Sequence, residues 1–275
     1  MKFLRIVRVA LAALAFVCAN LFFFGMAEWA AILFKAQLLP ALLAFNVVAV
    51  IAVLIVTFLF GRVYCSVVCP MGVFQDVVIG LSRRFHRAVP PKDRTLPPPP
   101  SFLRYVTLAL CAALVALGFV SLGALLDGYS LYGRIAAQIF RPVYSVLHNL
   151  VAAFLADHGY PVLFREAVFV RGMCALAVAG TGLVGVTAMA WWRGRLFCNT
   201  LCPVGAVLSL VAHRPLVRIR IDSAKCVTCG LCAASCKCGA VDIANRKVDD
   251  TSCVRCLDCL MACRKGAIVL GFRGR

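Results

Sequence analysis

The sequence predicts an α-helical membrane protein, with four transmembrane helices and both termini on the inner side, that carries a small cysteine-rich α+β domain at its C-terminus. Three observations lead there. Of 275 residues, 63% are hydrophobic and only 15% charged, whereas soluble domains carry about a quarter charged residues. Apolar stretches recur that are long enough to cross about 30 Å of hydrocarbon at about 1.5 Å per residue. Of 16 cysteines, eight fall in two runs of identical spacing near the C-terminus.

Along the chain, the expected spans run from Ile6 to Gly25, Leu39 to Phe60, Phe102 to Leu126 and Met173 to Trp192. A further apolar stretch, Ile135 to Leu155, is interrupted by Arg141-Pro142, His148 and Asn149. It reads as one or two interfacial or re-entrant helices, because a central arginine costs about 2.5 to 3.5 kcal/mol on insertion scales. Lysine and arginine set the orientation. Twenty-four lie at the N-terminus, between Arg62 and Arg104, and from Arg193 onward; only Lys35, Arg134, Arg141, Arg165 and Arg171 remain for the other side. The positive-inside rule then puts both termini and the middle loop in the cytoplasm, as a multi-pass protein of the bacterial cytoplasmic (inner) membrane. The N-terminus has the basic start and apolar core of a signal peptide, but the second span follows closely and the first is read as an uncleaved anchor. The segment from Arg83 to Pro100 ends in four prolines and reads as a stiff connector.

A formal charge of +18 would suggest nucleic acid in a soluble protein. Here the basic residues flank spans and surround cysteines, so membrane lipid headgroups and bound anionic clusters account for the excess, and no nucleic-acid partner is expected. No Ser/His/Asp set, phosphate loop or paired-carboxylate constellation points to hydrolytic or phosphoryl chemistry.

The two runs are Cys226-x2-Cys229-x2-Cys232-x3-Cys236 and Cys253-x2-Cys256-x2-Cys259-x3-Cys263, the spacing of a two-cluster bacterial ferredoxin-like domain. Electron transfer is the implied chemistry. In such domains the fourth ligand comes from the other run, so one [4Fe-4S] cluster is expected on Cys226, Cys229, Cys232 and Cys263, and a second on Cys253, Cys256, Cys259 and Cys236. The runs align without a gap at an offset of 27, which sets Cys236 opposite Cys263 and Cys238 opposite Lys265. Cys236 is therefore taken as the ligand and Cys238 as a spectator. The usual proline after the fourth cysteine is replaced by Lys237 and Arg264. Zinc sites and disulfides are the alternatives, disfavoured by the eight-thiol repeat and by a reducing compartment. The domain is expected over 214–275, after a four-helix transmembrane domain over 1–213.

A second repeat lies next to the membrane. GRVYCSVVCPMG at 61–72 and GRLFCNTLCPVG at 194–205 match at an offset of 133, implying duplicated two-span units, about 1–80 and 101–213. Each copy follows a span that emerges on the cytoplasmic side, so the units are expected to be related by an axis along the membrane normal. Residues at i and i+4 share a helix face, so Cys65 with Cys69, and Cys198 with Cys202, offer four convergent thiolates. These suit a third cluster, zinc or a thiophilic metal such as copper; a disulfide within each pair and buried structural thiols stay open as well. Cys18, Cys111 and Cys174 read as packing residues.

With paired C-x3-C-P motifs on a four-span core and a two-cluster tail, the chain resembles the membrane quinol dehydrogenase component NapH of periplasmic nitrate reduction and the C-terminal half of the nitrous oxide reductase regulator NosR. That resemblance implies quinol oxidation and electron delivery to another redox protein of a respiratory complex. Arg141, Tyr144, His148 and Glu166 are the candidates for holding a quinone headgroup, with interfacial anchoring as the alternative role. Two function classes follow: an electron-transfer subunit between the quinol pool and a partner, or an assembly or regulatory factor that supplies electrons or handles metal for a maturing metalloenzyme.

Overall fold

Helix α1 (Lys2–Phe23) is apolar on nearly every face and stops where Gly25, at φ +79°, lets the Met26 N–H reach back to the Leu21 carbonyl at 2.9 Å. A computed structural model of the chain describes residues 2–26, 37–85, 95–158, 164–168, 170 and 172–272. Lys35, Arg171 and most of the expected connector, 86–94, lie outside the described residues. Among the described residues three helices are long and apolar enough to cross a membrane: α1, a 30-residue helix α8 (Gly128–Asp157) and α9 (Met173–Arg193). Leu14, Val48, Leu150 and Val184 stand 61%, 79%, 62% and 68% exposed. Such apolar surface needs lipid rather than water around it.

The expected second span is divided. α2 (Leu38–Leu43) ends at Phe45, itself left-handed at φ +53°, and Asn46 caps α3 (Val47–Phe60) by accepting from the Ala49 N–H at 3.2 Å. The third and fifth stretches exchange the roles the sequence suggests. Phe102 to Leu126 is a hairpin of α6 (Ser101–Ala116) and α7 (Val120–Leu126). Cys111 Sγ lies 3.6 Å from the Gly123 carbonyl oxygen, although 12 residues of straight helix would separate them by about 18 Å. Gly118, at φ +86°, makes the bend, and the Phe119 N–H closes a Schellman turn on Leu114. Ile135 to Leu155, by contrast, belongs to the unbroken α8. Proline cannot donate to the helix ladder and its ring crowds the turn before it. The helix absorbs Pro142 by widening to π-type bonding over Ala136–Phe140, with the Arg141 N–H reaching Ala136.

Two short helix pairs carry the paired motifs: α4 (Tyr64–Val67) with α5 (Pro70–Phe85), and α10 (Leu196–Thr200) with α11 (Pro203–Val211). The tail begins with β1 (Val217–Ile221), which pairs antiparallel with β4 (Ile268–Phe272) in the register Val217–Phe272 to Ile221–Ile268. Between them lie α12 (Leu231–Ser235), a hairpin of β2 (Val241–Asp242) and β3 (Lys247–Val248), and α13 (Asp258–Ala262). Basic residues from separate parts of the chain meet this tail. Arg5 pairs with Asp258 at 3.0 Å, Arg62 donates to the Thr251 carbonyl at 2.9 Å, Arg83 to that of Ser235 at 3.0 Å, and Arg104 to Ser252 Oγ at 3.0 Å. Arg5, Arg62, Arg83 and Arg104 therefore share one end of the molecule with the tail.

Candidate metal centre

The tail cysteines fall into two groups, each with one member from the other run. Cys226, Cys229 and Cys232 precede or open α12 and line one cavity of about 260 Å³ together with Cys263. Cys253, Cys256 and Cys259 surround a tight void with Cys236 and Cys238. The loops are held in an unusual backbone state that repeats at the offset of 27: Thr228 and Arg255 at φ +50° and +57°, Gly230 and Leu257 at +76° and +63°, Gly239 and Gly266 at +62° and +63°. Three of these six are not glycine, and such conformations cost about 1–3 kcal/mol each. Left-handed residues two apart are the backbone form in which alternation with right-handed neighbours makes a nest for an anion, common at iron–sulfur sites. Two N–H donors already point at sulfur, Ala240 to Cys236 Sγ at 3.4 Å and Ala267 to Cys263 Sγ at 3.3 Å. Arg255 pairs with Asp250 at 2.7 Å, yet its Nε and Nη1 are buried without a partner. Eight soft donors, two nests and a half-satisfied buried cation fit anionic thiolate-bound clusters.

The paired motifs clamp each other reciprocally. Arg62 of the first copy donates to the Cys198 carbonyl of the second at 2.9 Å, and Arg195 of the second donates to the Cys65 carbonyl of the first at 2.6 Å. Both arginines are fully buried. Gly72 and Gly205 are equivalent too: a Cβ on Gly72 would overlap the Cys65 carbonyl oxygen, and one on Gly205 that of Cys198. Gly72→Ala and Gly205→Ala are each expected to lose at least about 2 kcal/mol of stability, read as earlier thermal unfolding in detergent. Cys65, Cys69, Cys198 and Cys202 are all buried in one core. Burial pushes the Cys69 and Cys202 thiols well above their ordinary pKa and Cys198 up to about 11, the last opposed by Arg195 and by Gln75, whose amide donates to its sulfur at 3.1 Å. Asp127, the cap of α8, adds to the rise at Cys69 and Cys202. Among the described residues no three or more His, Cys, Asp or Glu side chains are arranged to hold a single metal ion.

Tail and membrane motif are joined by residues whose roles the sequence did not disclose. The Lys237 carbonyl accepts from the Arg195 N–H at 2.8 Å, and its ammonium bridges Asp76 at 3.2 Å and Asp258 at 3.1 Å. Asp76 also holds Arg195 at 2.8 Å and Arg8 at 2.7 Å. The lysine standing where ferredoxins carry proline is thus the joint between the two cysteine groups. Cys238 is buried beside Cys236, and its thiol is pushed up by burial and then by Cys236. Cys238→Ser is expected to leave the paramagnetic resonance of reduced clusters unchanged, as a non-ligand should.

The quinone candidates Arg141, Tyr144 and His148 lie along the middle of α8, and Arg141 borders a cavity shared with Phe22, Phe23 and Tyr129. Tyr144 stacks on Phe24 at 5.3 Å and lies 5.9 Å from His148, while Ser145 and Asn149 hold Glu166. Gly128, at the near end, packs on Met71 and Phe197 beside the cysteines. Sixteen residues separate Gly128 from Tyr144, about 24 Å of helix.

A family model described as "4Fe-4S binding domain" matches residues 42–88 and 176–221. Both matches contain a C-x3-C-P motif, and neither reaches the tail runs, so the chain carries a ferredoxin-type 4Fe-4S binding domain in two copies. Among curated proteins, the methylamine utilization ferredoxin-type protein MauN of Paracoccus denitrificans is 30% identical over 64% of this chain and 48% of its own length. The putative electron transport protein YccM of Escherichia coli is 22% identical over 72% and 47%. An uncharacterized protein of Methanocaldococcus jannaschii is 25% identical over 70% and 57%. The chain thus spans about half the length of the curated relatives it matches. No solved structure matches the chain significantly.

Proposed function

We propose that the chain is a membrane-bound iron–sulfur protein that passes electrons between a lipid-phase quinol and a partner redox protein. The observation that carries this reading is the shared arginine. Arg195 binds the Cys65 carbonyl with its side chain and the Lys237 carbonyl with its N–H, so the membrane cysteines and the second tail group are built on one junction. Cys226, Cys229, Cys232 and Cys263 would hold one tail cluster; Cys253, Cys256, Cys259 and Cys236 would hold the other. Cys65, Cys69, Cys198 and Cys202 would share a third at the pseudo-twofold. Bound there, [4Fe-4S] clusters supply one-electron storage and transfer. The protein's part is to exclude water from the thiolates, direct N–H groups at them and fix their spacing.

Four elements would cross the bilayer in this reading: α1, α2 with α3, α8 and α9. The duplicated unit is then a pair of crossings followed by its motif, with the α6–α7 hairpin inserted between copies. Both termini and the tail lie in the cytoplasm of a bacterial inner membrane. Reporter fusions after Arg275 and near Leu96 are expected to be active only with a cytoplasmic reporter. For the quinol, the cavity of about 630 Å³ bordered by Phe22, Phe23, Tyr129, Ser130, Gln138 and Arg141 offers aromatic walls and polar groups. Tyr129 follows the Gly128 that packs beside the cysteines, which favours this cavity over the distant Tyr144 and His148. In lipid nanodiscs a short-chain quinol is expected to reduce the cluster signals. Clusters that dithionite reduces and quinol does not would remove quinol from the account.

A further inference from the structure

The two tail groups differ in what surrounds them, and the difference is not required by holding a cluster. The second group is buried against the membrane motif through Lys237, Thr251 and Ser252. The first group opens outward: Cys229 is exposed, Cys226 and Cys263 are half-buried, and Val227 between the ligands is 59% exposed. Around this opening stand Lys225, Arg264 and Lys265, the last two exposed and Lys225 64% exposed with Asp222 beside it at 3.6 Å. Among the described residues, the hydrogen bonds and ion pairs that seat the tail on the membrane motif come from Lys237, Thr251, Ser252, Ser235 and Asp258 rather than from this rim. An apolar centre within a charged rim is the anatomy of a transient protein interface, and a one-sign rim steers a partner of opposite charge.

We propose that this face, Val227 and Cys229 framed by Lys225, Arg264 and Lys265, is the docking site for a soluble one-electron carrier protein with an acidic face. The proposal rests on the reading of Cys226, Cys229, Cys232 and Cys263 as cluster ligands, and it names the partner class of that reading. Lipid is the other candidate for a basic rim. Arg264 and Lys265 are exposed and the tail is seated by other residues, Lys237, Thr251, Ser252 and Asp258, which favours a partner arriving from solution.

The test uses the full chain in nanodiscs and flavodoxin, an acidic carrier, as probe. Binding is read by interferometry, and contact positions by carbodiimide cross-linking of lysine amines to flavodoxin carboxylates. Wild-type protein is expected to bind, to weaken at least about ten-fold from low to high salt, and to cross-link through Lys225 and Lys265. Combined Lys225→Glu, Arg264→Glu and Lys265→Glu is expected to weaken binding at low salt about ten-fold or more. The same three reversals at Arg214, Arg246 and Lys247 should change it less than two-fold. Cross-links confined to other lysines, or affinity indifferent to the first triple reversal, overturns the proposal. Loss of anionic-vesicle binding in the first triple variant with flavodoxin affinity intact hands the face to lipid and overturns it equally. Iron content and paramagnetic resonance of each variant separate the two levels: absent clusters defeat the carrier reading, whereas intact clusters without flavodoxin binding defeat only the docking site.

Discussion

Serine in place of Cys202 is expected to remove about four irons and four sulfides from the protein, and serine at both Cys69 and Cys202 is expected to remove no more. A site shared across the pseudo-twofold loses its occupant once; independent thiol pairs would lose theirs separately. The expectation rests on the reciprocal arginines. Because Arg62 ties the second motif and Arg195 the first, neither cysteine pair is positioned without the other. Losses that add, or metal content unchanged with a disulfide inside each pair, would split the site into two.

Asp76→Asn is expected to loosen the tail from the membrane motif and to destabilise the protein by about 3 kcal/mol, the usual loss when one partner of a buried ion pair is removed. The carboxylate is 13% exposed and faces Arg195, Arg8 and Lys237, whose side chains are 0%, 10% and 12% exposed. Although burial opposes it, Arg195, then Lys237 and Arg8, hold the Asp76 carboxyl far below the usual carboxylate range. A depressed pKa gives stabilisation that is complete above the unfolded value of about 3.9 and lost as pH falls through the folded one. The joint therefore holds at all pH values above about 4 and weakens in stronger acid. Limited proteolysis between Val211 and Val217 reads the loosening directly; equal protection of wild type and variant would contradict it.

Much of this arrangement was legible in the residues, and the failures have physical causes. The ferredoxin spacing leads to the expectation that Cys236 joins the second run, and the structure brings Cys236, with Cys238, beside Cys253, Cys256 and Cys259. The offset of 133 located the clamped motifs. It held more than was read: carrying Lys2–Phe23 forward by 133 gives 135–156, inside α8, which in the proposed duplication makes the stretch with Arg141 and Pro142 the counterpart of the first span. A single-residue insertion penalty hid this, because the π-type widening that accommodates the proline has no sequence signature. Gly118 was the overlooked mark of the α6–α7 hairpin, since a glycine after an apolar run is what a Schellman turn requires. The left-handed Thr228, Arg255 and Leu257 were not readable, because side chains that dislike that conformation do not announce it. Lys237 read only as a missing proline, since its partners Asp76, Asp258 and Arg195 are remote in sequence.

The most direct measurement is iron and acid-labile sulfide per chain on anaerobically purified wild-type protein, with paramagnetic resonance after dithionite. Three four-iron centres predict about twelve of each, with interacting reduced clusters in the spectrum. Zinc in place of iron, or protein without labile sulfide, would contradict the account of this chain as an electron carrier.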